Sequence, residues 1–572
     1  MRRATLSRRL GAVLAVLLAA SASSAVPAQF ARGRGGAVAA EEENAARAGI
    51  EILKKGGNAT DAAVAMAFAL AVTWPEAGNL GGGGFWLSRD VRGRILTIDF
   101  RERAPRAARR DMFLESSGAA GKVPSSTDSP LASGVPGSVD GLALAHRRGG
   151  RLPWKRVLEP AQRLARDGFV MTENVHASIE AHRSKLAADP EAAATFLPGG
   201  EAPRLGSLFR QPALAATLDA IAERGEDGFY RGRVAREIEE GQKRAGGLIT
   251  RGDLALYASR IRKPVLFQLG DAEVFTTGAP SSGPALAQMA LLVGAVGNSR
   301  FEPRDAGSAH LVAEIEKRAF SDRNRYLGDP DFSGVRQGLF LSAQRARRLA
   351  ATIDPARATP LESVRSLSDG DPSTTHFSVV DGKGAMVSVT TTLNDSFGNG
   401  RMAPGLGFLW NNEMDDFTTR PGQANLYGLV QSDANAVAPG KRMLSSICPI
   451  IAVLPGRGVY AWGSPGGATI LTTNFQVLLE LALRGASLEA AVAAPRFHQQ
   501  DSPDLEVEKD AFDPAWIAAL EAKGHTVKVS TRDPVPGKIG RVHAVASLPR
   551  GITEAVADPR RQGAALAVTP AP

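Results

Sequence analysis

The stretch Asp61–Val72, DAAVAMAFALAV, carries apolar residues on nearly every side of its helical wheel. A helix with one polar face can lie on a surface, whereas one apolar all round belongs in an interior. The fold must therefore cover this segment from all sides. Asn58–Thr60 start the helix, after a first helix over Ala40–Lys55 that Gly56-Gly57 ends. Beyond it, RILTIDFRER alternates with period two and predicts a strand paired with GFWLSR. Residues 140–350 read as mostly helical, with TLDAIAERGEDGFYRG the clearest case, and 355–373, rich in Pro, Ser and Asp, as a surface loop. Four strands follow in two hairpins. Phe377–Val380 and Met386–Thr390 close through the turn Asp381–Gly384, and PIIAVL pairs with GVYAWG around PGRG. A helix over Thr469–Leu483 comes next. Strands bounded by helices on both sides, with no internal repeat, predict a layered α/β sandwich rather than a bundle or a barrel. The 572 residues, 44% hydrophobic, are ample for a large core.

Residues 1–28 read as a leader outside this fold. Arg2, Arg3, Arg8 and Arg9 form a basic start, LGAVLAVLLAASASSAV an apolar centre too short to span a membrane, and AVPA a small-residue cleavage site. The Arg8-Arg9 pair leaves general and twin-arginine export both open. The mature chain is expected to be periplasmic or secreted, with no membrane span. Losing the four leader arginines lowers the net charge from +9 to +5. That mild excess, without a basic cluster interleaved with aromatics, excludes the footprint of a nucleic-acid binder. The single cysteine, Cys448, has no disulfide partner and reads as buried filler beside an apolar strand.

Several chemistries fail on spacing. The glycines at 81–84 precede a strand and no Gly-Lys-Ser/Thr follows, so they are not a phosphate loop. Trp462 stands where a nucleophile elbow around Ser464 needs glycine. The eight histidines show no metal-ligand spacing. The doubled threonine Thr374-Thr375 remains, at the junction of the loop Asp371–Ser373 with a strand, and Thr390–Thr392 end the return strand. One explanation is only that β-branched residues suit strands. His376 shares a strand face with Thr374 and is either a base or a packed core histidine. A third arrangement needs no other residue. If the bond before Thr374 is cut, the new α-amine can take the proton of its own hydroxyl, giving nucleophile and base in one residue.

The set TTHFSVV, TLNDSFG, LWNNEMDDF, YGLVQSDANAVAPGKRMLSSICP, GSPGG and APRFH resembles the γ-glutamyltransferases, as do GGNATDAAVA, GNLGGGGF, DFRERAP and ADPRRQGAA. The resemblance is colinear over the mature chain. It implies an αββα four-layer N-terminal-nucleophile hydrolase that cuts itself between Ser373 and Thr374. The products would be a large subunit, 29–373, and a small subunit, 374–572, intertwined in one catalytic domain. The resemblance makes Thr374 the nucleophile and Thr392 the hydroxyl that orients it, and gives Gly466 and Gly467 the oxyanion hole. Arg101, with Ser445 and Ser446, would bind the substrate's α-carboxylate. Asn394, Glu413 and Asp416 would bind its ammonium, and Tyr427 would gate a lid over them. The substrates implied are glutathione and related γ-glutamyl amides, and the acceptors are amino acids, peptides or water. No metal or organic cofactor is implied. An amidase for another acyl group, of the cephalosporin-acylase kind, and an uncut binding protein for glutamyl compounds remain alternatives. One departure stands out: AAEEENAA replaces the His-Pro pair usual before the first helix, which leaves that helix start open.

Overall fold

The computed structural model describes residues 29–114, 123–332, 335–360, 372–531 and 537–569. The leader, and residues 361–371 of the expected surface loop, lie outside the described residues. The apolar helix runs over Ala59–Thr73, and within it only Thr60 escapes full burial. Asn58 caps it by accepting from the Asp61 N–H, and the Asp61 carboxylate returns a bond from the Asn58 N–H.

Two seven-stranded sheets build the molecule. The first runs Ala564–Ala567, Gly36–Ala40, Pro372–Asp381, Met386–Asp395, Gly83–Arg89, Ile95–Asp99, Arg260–Arg262. The second runs Gln29–Gly33, Ile552–Ala557, His543–Leu548, Gly458–Gly463, Ile450–Leu454, Ala272–Thr276, Val265–Leu269. Three apolar clusters separate the layers. Helix Ala59–Thr73 packs with Phe377, Val379, Val389 and Leu393 against one side of the first sheet. Helices Gly283–Val296, Ala306–Tyr326 and Thr469–Ala482 cover the second sheet through Ile450, Trp462 and Val556. Between the sheets lie mostly small side chains, including Ala37, Ala39, Ala461, Val545 and Ala555. The result is the expected αββα order, and both sheets draw strands from either side of Thr374.

The structure corrects several local expectations. Ala40 ends a strand, and the first helix is Glu43–Lys54, capped by the Glu42 carboxylate, which accepts from Ala45 N–H at 3.0 Å. The neighbouring Glu41 faces inward, 2.9 Å from His543 and 3.5 Å from Arg541. Burial opposes its charge, yet Arg541 and His543 hold its carboxyl at about 2. The acidic run that replaces the His-Pro pair thus anchors the start of the chain to its C-terminal strands. TLDAIAERGEDGFYRG is two helices broken at Gly225, whose φ is +61°. The hairpin Val265–Leu269/Ala272–Thr276 interrupts the helical middle. Pro372 and Ser373, expected in a loop, already belong to the strand Pro372–Asp381. Among the described residues no helix is long and apolar enough to cross a membrane.

Candidate active site

The strand Pro372–Asp381 pairs antiparallel with Met386–Asp395, Thr374 opposite Thr392 and His376 opposite Thr390. Alternation sends Phe377, Val389 and Leu393 to the helix side and leaves a hydroxyl-rich face toward the second sheet. There Ser378 Oγ donates to His543 O at 3.0 Å and Ser388 Oγ to Trp462 O at 3.0 Å. The repeated Ser and Thr therefore do more than favour a strand: some of them tie one sheet to the other. The pairing register slips between Ser373 and Thr374, at the bond expected to be cut.

Thr374 is buried, and its Oγ donates to Thr392 Oγ at 3.3 Å. Thr392 Oγ also accepts the Asn394 N–H at 2.7 Å, and Asn394 adopts a φ of +79°. The glycine run makes room for this strand. A Cβ at Gly82 would stand 2.1 Å from Thr392 O, and one at Gly84 2.3 Å from Thr390 O. His376 is fully buried, with Nδ1 2.8 Å from Thr390 Oγ and Nε2 2.9 Å from Ser378 Oγ. Both ring nitrogens are thus occupied away from Thr374, and burial holds its pKa well below the usual value. It is a core histidine. A Cβ on Gly463 would meet the His376 ring at 2.5 Å, so the strand Gly458–Gly463 crosses directly over it. That strand leads into Gly466 and Gly467, with φ of +130° and +57°, immediately before helix Thr469–Ala482. Glycine suits this path, because side chains avoid that backbone region. A helix N-terminus adds partial positive charge, favourable to a developing oxyanion.

The expected carboxylate and ammonium clamps meet in one buried cluster. Arg101 has no solvent exposure, and its guanidinium contacts Glu413 at 2.6 Å, Glu102 at 3.3 Å and also Asp416. Burial raises the pKa of all three acids, and Arg101 opposes that rise in each. The three acids in turn keep Arg101 charged. Of the three acids, Glu413 is the one whose carboxylate lies 2.6 Å from Arg101 Nη1. Asp416 is held by Asn425 Nδ2 at 3.1 Å. Asn394 Nδ2 donates to Asn412 O at 3.1 Å. Ser445 Oγ accepts from Ile447 N–H at 3.2 Å, and Ser446 Oγ accepts from Arg323 at 3.2 Å. Tyr427 is buried and its hydroxyl donates to Asn394 O, while Gln500 donates to Gly428 O at 3.2 Å, so the segment expected to form a lid is packed down. Glu102 and Arg323 escaped the sequence reading. Glu102 adjoins Arg101 in DFRERAP, whereas Arg323 had no signal beyond a charged helix.

Other groups are engaged elsewhere. Cys448 is buried and its thiol is pushed up to about 12 by that burial, which makes it inert. His310, Glu314 and His525 bring possible metal-ligand atoms within 4.8 Å of one another. The two rings bond each other at 2.8 Å, and Glu314 already serves Lys317, Arg318 and Thr359. A cavity of about 230 Å³ lined by Phe497, Phe512 and Trp516 includes none of the expected site residues.

The family model described as Gamma-glutamyltranspeptidase matches residues 45–568. The chain is 42% identical to a glutathione hydrolase proenzyme of Escherichia coli K12, covering 92% of each sequence. It is 42% identical to the corresponding proenzyme of Pseudomonas aeruginosa, covering 97% of this chain and 98% of that one. Among solved structures, a cephalosporin acylase from Bacillus halodurans superposes with a TM-score of 0.81 at 26% identity, covering 94% of this chain and 97% of that chain. The γ-glutamyltranspeptidase of Pseudomonas nitroreducens gives 0.53 at 39% identity, over 57% of this chain and 96% of that chain. A buried threonine pair facing each other across two central strands, and an arginine ringed by carboxylates, thus lie within a sequence match that spans nearly the whole chain: the protein belongs to the γ-glutamyltranspeptidase family.

Proposed function

We propose that this protein is an exported, self-cutting γ-glutamyltransferase and glutathione hydrolase. The leader at 1–28 is removed, and the precursor divides between Ser373 and Thr374 into a large and a small subunit. In the cut, Thr374 Oγ adds to the Ser373 carbonyl, the amide C–N bond breaks to leave an ester, and water hydrolyses it. The freed α-amine of Thr374 is then the base. In its neutral form it takes the proton from Thr374 Oγ, which attacks the γ-amide carbonyl of glutathione or a related compound. Gly466 and Gly467 N–H groups stabilise the oxyanion, the amine returns the proton to the leaving nitrogen, and a γ-glutamyl ester remains. Water or the amine of an amino acid or peptide then attacks the ester and releases Thr374.

The observation that carries this reading is the charge cluster. A substrate end bearing both carboxylate and ammonium can exchange partners with Arg101 and the acids without leaving a buried charge unmatched. Its carboxylate takes Arg101 with Ser445 and Ser446, and its ammonium takes Glu413, Asp416 and Asn394. The likeness to a cephalosporin acylase favours a second reading, an amidase for other acyl groups. A glutaryl group brings no ammonium, so it would divert Arg101 from three buried acids without supplying a cation in its place. The test is mass analysis of purified protein, followed by turnover of γ-glutamyl and glutaryl anilides. Wild type is expected as two chains, the smaller beginning at Thr374, and Thr374→Ala as one inactive chain. Equal turnover of the two anilides supports the acylase reading instead.

A further inference from the structure

Arg323 sits on the helix Ala306–Tyr326, is 1% exposed, and among the described residues forms no ion pair. Its partners are neutral. Nε donates to Ser282 Oγ at 2.8 Å, Nη1 to Asn324 Oδ1 at 2.8 Å and Nη2 to Ser446 Oγ at 3.2 Å. Arginines are seldom buried without a carboxylate, because removing a guanidinium from water is costly. Burial pushes this one down to about 10, with Asp416 nearby working against the fall, so it stays charged at neutral pH.

The hydrogen bonds around it have a direction. A serine hydroxyl offers one hydrogen and two lone pairs. Ser282 Oγ accepts from Arg323 and donates to Ser445 O at 2.7 Å, and so fixes the backbone of the serine pair. Ser446 Oγ accepts from Arg323 and Ser445 Oγ from the Ile447 N–H, so the hydrogen of each hydroxyl remains to be given to an acceptor. Two hydroxyls poised to donate, backed by an unmatched cation, describe a wall built for an anion. The same helix end holds the lid segment, since Asn324 O accepts from Ser432 N–H at 2.9 Å.

We infer that Arg323 is a positioning residue of the α-carboxylate subsite, orienting the Ser446 hydroxyl and adding a second positive charge to that of Arg101. The inference rests on the γ-glutamyl reading above. It gives the subsite a specificity function: Arg323 rewards substrates that carry a free α-carboxylate and is indifferent to those that lack it.

The test compares γ-glutamyl-p-nitroanilide with 4-aminobutanoyl-p-nitroanilide, which keeps the ammonium and lacks the carboxylate. Processed wild type, Arg323→Gln, Arg323→Lys and Arg101→Gln are assayed on both. The readout is the ratio of the two kcat/KM values. One lost interaction with a charged group predicts that Arg323→Gln lowers this ratio about tenfold to a hundredfold, carried by KM, and that Arg323→Lys recovers part of it. A purely structural role lowers both substrates together and leaves the ratio unchanged, which overturns the inference. Should Arg323→Gln not accumulate, Arg323→Lys decides: a threefold or larger fall in the ratio supports the inference, and an unchanged ratio overturns it. A preference lost in Arg101→Gln but retained in Arg323→Gln overturns only the inference. A preference absent from wild type, or intact in Arg101→Gln, overturns the carboxylate clamp and the inference with it.

Discussion

Replacing Arg101 by Gln removes the one cation that, among the described residues, touches Glu102, Glu413 and Asp416 together, each of them buried. Breaking a buried ion pair by deleting one partner costs about 3–5 kcal/mol, because a charge is left unmatched. In a chain of 572 residues each kcal/mol moves the melting temperature by roughly one degree, so a fall of about 3–5 °C is expected at pH 8. The deficit should depend on pH in a fixed direction. Burial already raises these acids, and without Arg101 to oppose it their folded pKa values rise further above the unfolded ones, near 4. An acid raised in the folded state contributes full stability below its unfolded pKa and loses it as pH climbs through the folded value. The gap between Arg101→Gln and wild type should therefore be small near pH 4 to 5 and open toward pH 8. Activity on a γ-glutamyl anilide should fall on the order of a hundredfold or more, two charged hydrogen bonds being worth roughly 3 kcal/mol together. The assay is thermal unfolding of wild type and Arg101→Gln, matched in buffer and processing state, from pH 4.5 to 8.5. A deficit of equal size across that range would refute the account of the cluster, and full activity would refute its role in binding.

Gly82→Ala should stop processing, since its Cβ would stand 2.1 Å from Thr392 O; gel analysis should show only the uncut chain. The pH profile of kcat/KM should rise through one group, the free amine of Thr374, and fall at higher pH as the substrate ammonium is lost. His376→Gln should keep that ascending limb, because both nitrogens of His376 are bonded away from Thr374; loss of the limb in a folded, cut protein makes histidine the base. Tyr427→Phe removes the bond to Asn394 O and should raise KM by up to about tenfold, with processing intact; an unchanged KM would show that the lid closes without that hydroxyl. Cys448 should resist iodoacetamide in the native protein, and rapid labelling would contradict its burial.

The central hairpin was legible because two short strand-forming runs, Phe377–Val380 and Met386–Thr390, flank a glycine turn, and the second because PIIAVL and GVYAWG flank PGRG. The buried helix was legible because no face of it is polar. The strands Gly36–Ala40, His543–Leu548 and Ala564–Ala567 were not. They are rich in alanine, which has little preference for strands. Close packing of two sheets explains small residues there, and that contact exists only in three dimensions. Arg101, Glu413 and Asp416 stood out through motifs, but their mutual pairing did not, since local sequence says nothing of residues some three hundred positions apart. Arg323, in FSDRNRY, reads like any surface arginine until burial removes its water.

Both sheets weave strands from before and after Thr374, so a cut there divides the chain without dividing the core. The two pieces then hold each other by surfaces that were shaped while they were one molecule. Neither piece alone contains the whole of either seven-stranded sheet, and an unfolded mature enzyme would have to find its partner and its register at once. The precursor can consult equilibrium while it folds; the finished enzyme has no such route back. The lifetime of the cut form is then set by how slowly it comes apart, and losses are made good only by new synthesis.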